Sequence, residues 1–396
     1  MNAETAPQLP YNGMLLRWAR EWRGKSVEDA AKRLQTSPEN IASWEDGDGA
    51  PTVRQARMLA DFYERGFLEF FLDEPPDLHD PVLVPDYRMH RDVGKPGDDK
   101  EVWHIQRWAE TQRLNAIDLF DLLGEEPPSM PESLQATLET NPERAAIDVR
   151  REGGFNIRKQ LDLTWGDKRL LPKLIRDTFE RLGVLVLRRT DLGNYGVRGI
   201  SLAEFPLPTI VYGSEADTAQ AFTLAHEFGH MLLRQSAISG PPSAREADTY
   251  EKAVEHWCDQ FAGAFLVPAE AMAGRWAKPN EPMPQLGDDT IASLAKAFRV
   301  SRHAMLIRLV DLGYVEGDFY WNVKRPEYLA QEADYQSRGG IPPYYGTRFV
   351  NTQGSLYTGL VLEAWGRGAI TNDRAARFMG IKNLSHLDDI RREFRT

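Results

Sequence analysis

Two histidines four residues apart with a glutamate between them, His226-Glu227-Phe228-Gly229-His230, are the residues of this chain best suited to chemistry. At 3.6 residues per turn both imidazoles fall on one face of a helix and reach a single metal ion. Glu227 lies about 100 degrees round from His226, beside the metal rather than on it, which is where a carboxylate acts as general base toward a water the metal activates. Chance explains the pattern poorly: 8 histidines in 396 residues give roughly 0.01 such pentapeptides per chain. Gly229 costs roughly 1 kcal/mol of helix propensity against alanine, so it is expected to admit a close neighbour.

A catalytic zinc takes three protein ligands and keeps one position open. The third ligand is expected downstream, in Glu255-His256-Trp257-Cys258-Asp259. Glu255 and Asp259 stand one helical turn apart, so the first can bind the metal while the second hydrogen-bonds the far nitrogen of a ligand histidine. His256 and Cys258 are rival ligands, but on a helix they point about 100 and 300 degrees away from Glu255. A metzincin arrangement fails, because Leu233 and Ser236 stand where its glycine and third histidine belong. Manganese or iron can occupy the same ligand set as zinc. Tyr212, Tyr250 and His256 are open candidates for stabilising an oxyanion.

The elements that must position these groups read as mostly helical with a small sheet, an α+β class. Apolar periodicity predicts a helix over 217–233, whose Leu224, Phe228, Met231 and Leu232 face the core, and another over 250–266 that Pro268 stops. Residues 183–188 and 208–212 are β-branched and apolar, hence strands. Residues 197–204 read equally as an exposed sheet edge for an extended peptide or as an internal strand, and 236–248 read as a loop. Further helical patterns cover 102–123, 290–312 and 360–378, the last interrupted near Gly366 and Gly368.

Short helices with caps at Ser26 and Ser37 fill the amino terminus, and seven prolines and glycines in 72–97 make a connector. The expected division is a helical domain over 8–75, a linker over 76–100, a domain carrying the histidine motif over 101–320 and a helical segment over 345–396.

Forty-eight basic against 59 acidic side chains leave a net charge of -11, which excludes a generally basic chain that coats nucleic acid. The single cysteine, Cys258, forms no internal disulfide and argues for a reducing compartment, the cytoplasm. Neither a secretory leader nor a stretch of about 18 apolar residues is visible, so no membrane association is expected.

Phe222-Thr-Leu-Ala-His-Glu-Phe-Gly-His230, with Glu255-x-x-x-Asp259-x-Phe261-Ala262 and Leu266-Val-Pro268, resembles the ImmA/IrrE family of zinc metallopeptidases, a gluzincin-like group. Glu74-Pro-Pro76, Pro85-Asp-Tyr-Arg88, Leu182-Gly-Val184, Gly199-Ile-Ser201, Leu294-Ala295 and Val300-Ser301 extend the resemblance over about 70–315. It implies an endopeptidase that cleaves a helix-turn-helix transcriptional repressor, in stress response or prophage and mobile-element regulation. Asp259 stands where the family often has asparagine, and Tyr212-Gly213 where a strand commonly ends in asparagine. The rival reading is a transcription regulator or antitoxin-like protein whose metal domain senses or assembles without turnover. Glu227 favours the enzyme, because a scaffold has no use for the base.

Residues 11–70 resemble an Xre/Cro-type helix-turn-helix through Gly24-Lys-Ser26, Ala30-Ala31-Lys-Arg-Leu34, Ile41-Ala-Ser-Trp44-Glu45, Gly47 and Pro51-Thr52. In that fold Gln35, Thr36, Ser37, Asn40 and Ser43 lie where base edges are read, and Arg17, Arg20, Lys25 and Lys32 on a phosphate-facing edge. Nine basic and nine acidic side chains over 11–66 leave no net charge, so DNA binding, docking onto a related repressor and dimerisation all stay open.

Overall fold

The structure, a computed structural model, describes residues 10–63, 65–76, 84–85, 98–167, 170–240, 249–333, 344–381 and 383–394. Its described residues group into two compact units: those within Met1–Leu83 and Lys95–Ile105, and those within Val84–Gly94 and Gln106–Thr396. Most of the expected connector over 76–100, and the Asp-Tyr-Arg88 part of its motif, lie outside the described residues.

In the first unit α1 (Gly13–Trp22), α2 (Val27–Leu34), α3 (Pro38–Asp46) and α4 (Val53–Tyr63) enclose Leu16, Ala19, Ala30, Ile41, Leu59 and Tyr63. Local chemistry fixes the two central helices. Ser26 and Asp29 make a reciprocal capping box at the start of α2, while Ser37 accepts the Asn40 amide and Pro38 pre-sets the first turn of α3. A buried two-point ion pair, Arg20 Nε to Glu45 Oε1 at 2.6 Å and Nη2 to Oε2 at 2.8 Å, ties α1 to α3. The helix α5 (Asp98–Leu123) begins within this group and continues in the second.

The second unit holds a sheet of β1 (Leu185–Arg188), β2 (Gly199–Leu202), β3 (Thr209–Tyr212) and β4 (Ala237–Ser239) in the order β1-β3-β2-β4. β1 runs parallel to β3, and β2 is antiparallel to both β3 and β4. Of the two places open to 197–204 the structure takes the internal one, since β2 is hydrogen-bonded on both sides and is no edge. One expectation is corrected: 236–248 is not all loop, because Ala237-Ile-Ser239 forms the edge strand; 241–248 lie outside the described residues. The pattern over 290–312 also divides, at Arg299 with φ of 60°.

Around the sheet lie α6 (Pro142–Glu152), α7 (Ile157–Leu161), α8 (Leu170–Arg181), α9 (Asp217–Leu232), α10 (Tyr250–Leu266), α11 (Ala269–Ala273), α12 (Asp288–Phe298), α13 (Arg302–Asp311) and α14 (Arg325–Ala333). The carboxy-terminal helices α15 (Tyr345–Gln353), α16 (Ser355–Gly366), α17 (Asn372–Phe378) and α18 (Ser385–Phe394) follow. The class is therefore α+β and mostly α, as the sequence predicts. Among the described residues no helix is long and apolar enough to cross a membrane.

Aromatic stacking holds the motif helix in place. Phe179 of α8 stacks on Phe228 of α9 with ring centroids 4.0 Å apart, and Phe228 meets Phe261 of α10 at 6.3 Å. Each such pair adds about 0.5–1.5 kcal/mol beyond its buried area. Gly229 admits the neighbour its position implies: a Cβ there would lie 3.0 Å from Cys258 Sγ, so α9 and α10 approach closely.

The same α8 receives the carboxy-terminal helices at a buried acid. Glu180 accepts the Leu356 amide at 3.1 Å, its other carboxylate oxygen has no hydrogen-bond partner among the described residues, and burial pushes its carboxyl up to about 8 against the pull of Arg176. An acid whose pKa is raised on folding stabilises fully below its unfolded value near 4.5 and loses that contribution as pH rises through about 8. Glu180→Gln is expected to match the wild type near pH 4.5 and to exceed it above pH 8 by roughly 3–5 kcal/mol. Denaturant unfolding at both pH values measures this, and parallel pH profiles for the two proteins would overturn it.

Candidate active site

α9 and α10 bring three ligand-type side chains to one point. His226 Nε2 and His230 Nε2 are 3.3 Å apart, and Glu255 places Oε2 3.4 Å from the first and Oε1 3.2 Å from the second. The edges of a tetrahedron built on metal–ligand bonds of about 2.05 Å are roughly 3.3 Å long, so these separations suit one ion held by all three. Among the described residues this is the one cluster of its kind.

Asp259, one turn beyond Glu255, sits 2.8 Å from His226 Nδ1 through Oδ1. A carboxylate there accepts the Nδ1 proton and leaves the Nε2 lone pair directed at the cluster. The rivals do not join it. Cys258 is buried against Gly229 with its thiol pushed well up by burial, and His256, like Cys258, stands outside the cluster.

Charge balance follows from the same contacts. Burial opposes protonation of His226, but Glu255 and Asp259 outweigh it and hold its pKa well above the usual range. Burial likewise raises Glu255, yet the two imidazoles bring its carboxyl down to about 2. A buried anion between two imidazoles is a donor set for a cation.

Glu227, which lines the same cleft as His226, is fully buried, and burial raises its carboxyl above the ordinary carboxylate range. Ser201 Oγ on β2 donates to Glu227 Oε2, while Oε1 has no hydrogen-bond partner among the described residues. The approach of β2 requires glycine at position 199, where a Cβ would lie 2.6 Å from Glu227 Cγ and nearer still to its carboxylate. Gly199→Ala is therefore expected to displace the carboxylate and lower turnover roughly 100-fold at unchanged metal content. Steady-state rates beside elemental analysis test this, and wild-type turnover would contradict it.

The cleft over the site is lined by Arg198, Phe222, Thr223, His226, Glu227, Ser239, Gly240 and Asp259. Residues 179–310 match the peptidase M78 family model, described as the IrrE N-terminal-like domain, and residues 13–66 match a helix-turn-helix domain model. Over residues 179–310 the chain is thus similar to an IrrE N-terminal-like domain. No curated protein matches the chain. A peptidase of this metallopeptidase family implies a metal ion, and the His226, His230 and Glu255 cluster falls within the matched IrrE-like stretch.

Sequence reasoning missed three residues that stand close to the histidine motif. Ser201 was visible only as part of Gly199-Ile-Ser201, Ser239 stood in a stretch read as loop, and Arg198 carried no signal. Ser239 Oγ is 3.4 Å from His230 Nε2, and Arg198 pairs with Glu215 at 3.3 Å. Tyr212, Tyr250 and His256, the candidates for an oxyanion role, do not line the cleft, and Tyr250 is bonded instead to Gln235.

In the helix-turn-helix unit Gln35 and Asn40 are exposed, and Thr36, Ser37 and Ser43 are half-buried. All but Gln35 are engaged locally: Ser37 caps α3, Asn40 donates to Thr36 at 2.9 Å, and Ser43 donates to the Asp48 carbonyl at 3.1 Å. Arg17 pairs with Asp46 and lies 3.6 Å from Glu45, and Lys25 is 3.5 Å from Glu101. Acidic partners thus neutralise Arg17 and Lys25, and Arg20 is paired with Glu45, while Lys32 of the same expected edge is exposed.

Proposed function

We infer that this protein is a zinc-dependent endopeptidase of gluzincin type that cleaves another protein, a helix-turn-helix transcriptional repressor. His226, His230 and Glu255 are the ligands, Asp259 orients His226, and Glu227 is the general base. The observation that carries the reading is a buried carboxylate oxygen without a hydrogen-bond partner beside a triangle of tetrahedral dimensions. When bound, zinc supplies Lewis acidity, lowering the pKa of a water and polarising the peptide carbonyl; manganese or iron would do the same in this donor set.

The residues of the chain do the rest. Ser201 fixes one oxygen of Glu227, so Oε1 takes the proton from the attacking water and returns it to the departing amine nitrogen. Asp259 keeps His226 in the tautomer that binds metal. Burial of Glu227 excludes bulk water from the proton it carries.

The helix-turn-helix domain supports DNA binding through Gln35, Thr36, Ser37, Asn40 and Ser43, at a cytoplasmic location where stress or mobile-element regulation takes place. Retardation of DNA at low salt that fades at high salt tests that arm. The repressor assignment is tested by incubating the metal-loaded protein with helix-turn-helix repressors encoded nearby, beside Glu227→Gln. Cleavage by both proteins or by neither sinks it. A regulator without turnover is disfavoured by Glu227 itself, since metal binding alone needs neither that carboxylate nor Ser201 to position it.

A further inference from the structure

The edge strand beside the metal cluster is already partnered. β4 pairs with β2 on its inner side, with Ile238 opposite Ile200, and on its outer side the Ile238 amide donates to the Pro85 carbonyl at 2.9 Å. The next residue, Ser239, reaches to 3.4 Å from His230 Nε2, and Ser239 and Gly240 line the cleft with His226 and Glu227. An extended peptide added to this sheet next to the site would use the outer edge of β4, since β2 and β3 are paired on both sides.

We propose that Val84–Pro85 is an internal competitor for that edge, held where a peptide substrate must dock, so that the site opens to substrate only when this segment leaves β4. The proposal rests on the peptidase reading above. Val84 is 9% exposed and anchors the segment, yet proline has no N–H to return to the strand. A substrate residue with both donor and acceptor makes two bonds where Pro85 makes one, so the segment is held but displaceable.

The test uses full-length, metal-loaded wild type, Val84→Asp and the milder Val84→Ala. Deuterium uptake at the Ile238, Ile200 and Val211 amides, affinity for a fluorescein-labelled extended peptide hydroxamate and cleavage of casein are measured together. Protection of Ile238 is expected in the wild type. Its selective loss in the variants, with Ile200 and Val211 still protected, should bring about fivefold tighter hydroxamate binding, the scale of freeing one backbone hydrogen bond. Free exchange of Ile238 in the wild type overturns the proposal, as does loss of its protection without tighter binding. If Val84→Asp also exposes Ile200 and Val211, it has unfolded and Val84→Ala decides. Tighter binding with no casein cleavage by any protein would instead count against the peptidase reading alone.

Discussion

Glu227→Gln is expected to cut peptide hydrolysis by roughly 10²- to 10⁴-fold, the contribution of a positioned general base, while leaving metal content and fold unchanged. Glutamine matches glutamate in shape, and its amide oxygen still accepts from Ser201 Oγ. What it cannot do is take a proton at the position of Oε1. Metal affinity should hold, because the cluster is formed by His226, His230 and Glu255 without this side chain. Casein cleavage, elemental analysis and thermal unfolding of the two proteins check all three parts. A variant that hydrolyses at the wild-type rate removes Glu227 from the chemistry, and one that loses its metal makes it a ligand.

The cluster was legible from the sequence because each part obeys a single helical period. His226 and His230 lie one turn apart on α9, and Glu255 and Asp259 one turn apart on α10, so each pair faces one way whatever surrounds it. Meeting of the two helices left a trace as well, since a glycine between the histidines had to admit something, and that is Cys258.

What the sequence concealed depends on long-range pairing. A three-residue strand such as Ala237–Ser239 is too short to show alternation, so the position of β4 could not be read, β2 stayed open between edge and interior, and Pro85 could not be matched to Ile238. Lys25 looked available for phosphate because its partner Glu101 stands 76 residues away in the chain.

Removal of Glu255 separates a metal centre from a mere ion pair. If His226, His230 and Glu255 hold a metal, Glu255→Ala should weaken its binding by more than the roughly 10- to 100-fold expected of Asp259→Asn, which acts only through the orientation of His226. Stripping the wild type with a chelator should then lower its unfolding temperature, since an ion at a thousandfold excess over Kd stabilises by about 4 kcal/mol. The already metal-poor Glu255→Ala protein should not respond. An ion pair between Glu255 and a protonated His226 makes the opposite forecast: the chelator changes nothing, while Glu255→Ala loses roughly 3–5 kcal/mol from the unpaired buried charge whether or not metal is supplied. Calorimetric unfolding of both proteins with and without chelator distinguishes the two, and a wild type indifferent to the chelator would leave Glu227 a base with no activated water to serve.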